Sequence, residues 1–156
     1  MPRGYNAPVQ DAALSTTGVN TPWHLQGAAT IRPALSRFIF GPRTSADTVV
    51  AFSIARSTNA NSVATGTALV EAALDDTLSQ AATAICTSGA KGTVYTTGPT
   101  FGVIMHPVGL HQRATYEWIA QPGREIQAAA AATAGIALKI EAVTAFNADF
   151  MGSWDE

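Results

Sequence analysis

The chain has 156 residues, 47% of them apolar and only 13% charged, with a formal net charge of −2. That length is one domain's worth, enough to bury roughly two-thirds of the unfolded chain's surface. The charged share is about half the usual value for a globular domain, and Lys and Arg are scattered singly, which disfavours nucleic acid as a partner.

A neutral surface built from Ala, Thr, Gly, Ser and Asn suits a subunit covered by neighbours, so a homo-oligomer is expected. Cys86 is the only cysteine; it forms no intrachain disulfide and reads as an inert, small, buried side chain. No apolar run reaches the ~18–20 residues that span a bilayer, and MPRGYNAPVQDA lacks the charged-then-apolar form of a secretory signal. No membrane partner is expected.

Residues 1–27 contain Pro2, Pro8 and Pro22 and no sustained period, which reads as an extended N-terminal arm ordered by a neighbour. Tyr5, Trp23 and Leu25 are its anchors and candidate partner contacts. Residues 28–156 form the domain proper. In ATIRPALSRFIFG, Ser36, Phe38 and Phe40 take one face of a strand and Arg37 and Ile39 the other, with Gly41-Pro42 ending it. DTVVAFSIARS repeats the device, with Val50, Phe52 and Ile54 facing the core.

STNANS is a turn or loop by composition. The stretch from Val63 carries helical and strand periods at once, and a strand to about Asp75 followed by one short helix is expected. GAKGTVYTTGPTFGVIMHPVG suits two short strands separated by a turn at Gly98-Pro99.

HQRATYEWIAQPGRE is the clearest local signal, with Tyr116 and Trp118 facing inward and a type I or II turn over Gln121-Pro122-Gly123-Arg124. The alanine run at 128–135 is a connection, because it lies between that turn and the alternating strand of Ile136, Leu138 and Ile140. Phe146 and Phe150 share one face of a last strand. Short strands punctuated by turns predict a mainly β, antiparallel, sandwich-like or jelly-roll-like single domain.

No constellation marks chemistry, and no catalytic residue, metal ligand or cofactor is assigned. His24, His106 and His111 lack carboxylates or cysteines at ligand spacing and read as surface or loop residues. Gly89-Ala90-Lys91-Gly92-Thr93 lacks the succession a phosphate loop needs, and Asp75-Asp76 reads as a helix cap rather than a calcium site. Trp23, Tyr95, Tyr116, Trp118 and Trp154 are the aromatic residues a sugar or peptide groove could use, although Tyr116 and Trp118 suit the core. Arg113, just before the clearest strand, is a candidate partner contact through its guanidinium.

RPALSRFIFGP, GLHQRATYEWIAQPGRE and AATAGIAL, in that order, resemble a family of small virion structural proteins from tailed bacteriophages and their environmental relatives. The resemblance includes the turn from Gly41 to Asp47 and the segment from Leu110 to Glu125, and it spans about residues 30–140. His111, Glu117 and Arg124 depart from the family's usual residues there. The resemblance implies a head decoration or cement protein on the capsid surface of the virion, assembled in the host cytoplasm. It further implies the major capsid protein or other virion proteins as partners and a trimer as the favoured oligomer. A tail, neck or head-spike component and a carbohydrate- or receptor-binding module are the alternatives.

Overall fold

Alternation of apolar and polar residues becomes a pair of antiparallel sheets in the computed structural model, which describes residues 3–14, 21–43, 49–58, 67–74, 82, 84–88, 99–111, 113–142 and 144–156. The strands are β1 (Gly4–Leu14), β2 (His24–Gln26), β3 (Ala34–Arg43), β4 (Val49–Ser57), β5 (Thr67–Ala68) and β6 (Ala72–Ala73). They continue as β7 (Ile85–Ser88), β8 (Phe101–His111), β9 (Tyr116–Ile119), β10 (Ile126–Gln127), β11 (Gly135–Ala142) and β12 (Phe146–Asp155). The first sheet runs β10-β3-β12-β1-β6, with β9 also on β3; the second runs β5-β7-β2-β11-β4-β8. The protein is a mainly β, antiparallel, sandwich-like single domain, with no helix among the described residues.

The chain changes sheet repeatedly, and among the described residues no two consecutive strands pair with each other. The two terminal strands instead pair in the middle of the first sheet, from Gly4 opposite Asp155 to Leu14 opposite Phe146. Reciprocal backbone bonds between Arg3 and Glu156, at 3.1 and 2.9 Å, close the ladder beyond the strand ends.

This placement overturns the expected N-terminal arm. Tyr5, Trp23 and Leu25 are buried at 2%, 1% and 0% exposure, in the core where no partner could reach them. The aperiodic look of residues 1–14 has a local cause. A bulge between Val9 and Ala12 inserts a residue opposite Asp149, with Asp11 at φ 56°, and so shifts the period halfway along β1. Asp149 stitches the bulge down: Oδ1 accepts the Asp11 N–H at 2.8 Å while Oδ2 accepts from Arg43 Nε at 2.7 Å.

Three further expectations change. Gly41-Pro42 does not end β3, which continues to Arg43 with Pro42 opposite Ala148. The single strand to Asp75 is two short strands, β5 in the second sheet and β6 in the first, because the chain crosses sheets between them. His24, expected at the surface or in a loop, is buried on β2 at 1% exposure, whereas His111 is exposed and His106 half-buried on β8. The short helix after Asp75 and the turn at Gly98 lie outside the described residues.

Phe38, Phe40, Val50, Phe52, Ile54, Ile136, Leu138, Ile140, Phe146 and Phe150 are buried between the sheets. Tyr116 and Trp118 are half-buried at the margin of that core, since β9 is a short outermost strand. In β3 a register shift opposite Ser153 and Trp154 sends Leu35 inward, while Ser36 donates through Oγ to the Ser153 carbonyl at 3.2 Å. The turn at Gln121–Arg124 is type II: Gly123 has φ 79°, and the Arg124 N–H reaches the Gln121 carbonyl at 2.8 Å. Residues 128–134 connect β10 to β11 through backbone turns, such as Ala134 N–H to the Ala131 carbonyl at 3.1 Å.

Trp23 joins the two layers. Its ring meets Phe38 and Trp154 edge-on at 5.8 and 6.5 Å, and its Nε1–H donates to the Ala7 carbonyl of β1 at 3.3 Å. The indole lies directly on Gly152, where any Cβ would overlap its six-membered ring. Gly152→Ala is therefore expected to cost about 3 kcal/mol through overpacking, read as a lowered urea midpoint with an unchanged slope. Deleting residues 1–27 removes β1 and β2 and is expected to leave a chain without cooperative unfolding. A cooperatively folded truncation would return those residues to the status of an arm.

Candidate functional site

With the arm residues inside the core, the surfaces left for contact are the outer faces and free edges of the sheets. In an antiparallel ladder, alternate residues turn their N–H and C=O toward the partner strand and the rest turn theirs away. Proline has no N–H, so a proline paired in a ladder sits where its nitrogen points away from the partner. Pro8 is paired with Met151 of β12, Pro42 with Ala148 of β12, and Pro107 with Ser53 of β4. Among the described residues the opposite side of each proline is open: β6 covers only Tyr5 and Asn6 of β1, β9 and β10 stop short of Pro42, and β8 is the last strand of its sheet. Each long edge thus lacks a donor where a further strand would dock, a device that discourages open-ended sheet extension.

The faces are different. Across the outer face of the first sheet, Glu117, Ile39, Met151 and Pro8 stand side by side on β9, β3, β12 and β1. Ile119, 64% exposed, adjoins this row beside Arg37. A shallow depression of about 350 Å3 lies among Pro8, Gln10, Ile39, Gly41, Asp149 and Met151. Arg37–Glu117 at 2.6 Å flanks the band on one side and Arg43–Asp149 at 2.7 Å on the other. Both pairs are well exposed and contribute little stability, so their main effect is to balance the charge on either side of the band.

A second apolar surface runs along the start of β8, where Val103, Ile104 and Met105 are 67%, 48% and 40% exposed. Near it, a depression of about 410 Å3 on the outer side of the second sheet has Lys139 paired to Glu141 at 2.6 Å in its wall. Further along β8, His106 turns inward, bonds the Tyr116 hydroxyl at 2.5 Å and lies 6.0 Å from the Trp118 ring. That cluster closes the gap between β8 and β9 and spends the two aromatic residues on the sandwich margin. Burial there also raises the Tyr116 hydroxyl above its ordinary pKa.

His24 and Ser57 share a hydrogen bond of 2.8 Å, the arrangement from which a nucleophile and its base could be made. They lie at 1% and 3% exposure, so no substrate can approach them in the folded protein. Arg113 is exposed in the turn between β8 and β9, with its backbone N–H 3.4 Å from His111 Nδ1. Trp23 and Trp154 are buried at 1% and 0%, so neither can stack on a sugar. Tyr95, Asp75, Asp76 and Lys91 lie outside the described residues. Among the described residues no group of three His, Cys, Asp or Glu could hold a metal ion, and no helix is long and apolar enough to cross a membrane.

Sequence reading placed Ile39 on the outer side of its strand but missed Met151, Ile119 and the Val103–Met105 run as contact candidates. The Val103–Met105 run carried a signal, since no charged residue lies between Lys91 and Arg113, whereas Ile119 and Met151 carried none, each standing two residues from an acid, Glu117 and Asp149. Comparison of the chain with protein-family models, curated proteins and solved structures finds no match.

Burial lowers the His24 imidazole from 6.5 to about 4. Between those values the unfolded chain binds a proton that the folded chain excludes. The contribution of His24 to stability is therefore full above about pH 6.5, declines as pH falls, and levels near pH 4 after a loss of roughly 3 kcal/mol. Urea midpoints are expected to fall between pH 7 and 4.5 while the folded protein's His24 ring stays neutral by NMR at pH 5. A folded-state His24 that titrates near 6.5 would contradict this.

Proposed function

We propose that this protein is a structural virion subunit of a tailed bacteriophage, a head decoration or cement protein that binds the major capsid protein and stabilises the capsid lattice from outside. The reading rests chiefly on the outer face of the first sheet. There Pro8, Ile39, Met151 and Ile119 make a flat, weakly polar band with balanced ion pairs at its sides. A face of this kind suits a protein neighbour, since interface centres are depleted in charge and their rims are polar. The resemblance of RPALSRFIFGP and GLHQRATYEWIAQPGRE to small phage virion proteins supports the same reading.

A rigid sandwich with proline-interrupted edges fits the task physically. It adds buried area between capsomers without adding strands to itself, and repetition over a closed lattice multiplies a modest affinity per copy. Self-association, with a trimer favoured, would bring several copies of one face to the lattice at once.

Light scattering of the purified protein and co-sedimentation with candidate phage heads test the proposal. The expected result is a stable oligomer that pellets with heads, and an Ile119→Glu/Met151→Glu double variant that stays folded but no longer pellets. A monomer that ignores heads would overturn the reading. A ring-forming oligomer that pellets with tails instead would move the protein to the tail or neck.

A further inference from the structure

Lys and Arg are dispersed along the sequence, but the fold brings two of them to one cleft. Arg32 precedes β3, and Arg56 lies near the end of β4 opposite Ile136. Both line a depression of about 190 Å3 whose remaining wall is Gln127, Ala128 and Ala129, beside the start of the connection to β11. Both side chains belong to exposed residues, as does Gln127. Among the described residues neither arginine has an ion-pair partner. By contrast, Arg37, Arg43 and Lys139 are each matched to a carboxylate of their own sheet.

The chemistry of such a cleft is narrow. Two guanidinium groups repel each other, and each is a planar fork of N–H donors that fits the paired oxygens of a carboxylate or phosphate. Gln127 adds a neutral amide able to donate to the same group. The volume is below the roughly 300–1,000 Å3 typical of pockets for drug-sized ligands, so it suits one oxyanionic group and its water rather than a whole metabolite. The Ala128 N–H is already committed to the Pro33 carbonyl at 3.1 Å, which fixes the wall of the cleft against β3.

We infer that the Arg32–Arg56–Gln127 cleft is a binding site for a single oxyanion, supplied either as a carboxylate side chain of a partner protein or as a phosphate. The cleft lies apart from the Pro8–Ile39–Met151 band, and the inference does not depend on the virion reading.

The test is an NMR titration of the intact chain at low ionic strength, following the Nε–H signals of Arg32 and Arg56 and the side-chain amide of Gln127. Inorganic phosphate and a short glutamate-rich peptide are the two probes. Saturable shifts confined to these groups are expected, weakened about tenfold or more by Arg32→Gln or by Arg56→Gln and abolished in the double variant. All three side chains are exposed, so the variants are expected to fold, which the unchanged remainder of each spectrum would report. Tighter saturation by the peptide would assign the cleft to a protein carboxylate; tighter saturation by phosphate would assign it to a phosphate. Absence of saturable shifts with both probes, or shifts that persist in the double variant, would overturn the inference.

Discussion

The contact of the Trp23 indole with Gly152 sets the spacing of the whole sandwich. Trp23 enters from the second sheet just before β2, while Gly152 belongs to β12 at the centre of the first. Only a residue without a side chain lets the ring lie this close to the strand, and the ring then fills the space beside Phe38 and Trp154. Its Nε1–H, which would be costly to bury unpaired, finds the Ala7 carbonyl on the neighbouring β1. One side chain thereby fixes the separation of the layers and ties β1 to the opposite sheet.

Around that contact the aromatic core is continuous. Tyr5 stacks on Trp154 at 5.9 Å, Phe38 and Phe40 both meet Phe52 across the layers at 6.2 and 6.1 Å, and Phe52 reaches Tyr116 at 5.2 Å. The rings come from β1, β3, β4, β9 and β12, so no one segment owns the core. Since no consecutive strands pair among the described residues, most of the ladders there require distant parts of the chain to meet, which favours slow, cooperative folding and disfavours independently stable fragments. The partnership of β1 and β12 is the extreme case, joining the first strand to the last.

The division of labour on the surface follows from the same topology. Among the described residues, strands left at the open edges are either two to four residues long or carry a proline whose missing donor faces outward. The broad outer face of the first sheet carries Arg37–Glu117 and Arg43–Asp149 as ion pairs within the sheet, on either side of its apolar band. A protein arranged in this way can meet a neighbour face to face while resisting edge-to-edge polymerisation. Low overall charge is consistent with such contact but does not say where it occurs.

Which residues face inward in β3, β4, β11 and β12 was legible because strand periodicity is a local property: side chains alternate, and Phe38, Phe52, Leu138 and Phe150 fall on the apolar side. The Gln121–Arg124 turn was legible for the same reason, since Pro and Gly impose backbone angles on their own positions. Residues 4–14 were not, because a bulge at Asp11 breaks the period and its compensation comes from Asp149, which lies 138 positions away in the chain. Likewise Pro42 reads as a strand terminator until the partner strand shows that its nitrogen faces an open edge. The outer band of Pro8, Ile39 and Met151 and the cleft shared by Arg32 and Arg56 are products of pairing between remote strands. The sequence by itself therefore determined the β class, most of the inward faces and the turns, all governed by neighbours along the chain. Tertiary structure alone decided strand order, the burial of Tyr5, Trp23 and Leu25, and the residues that share a surface, because register between distant segments depends on which apolar faces can be buried together.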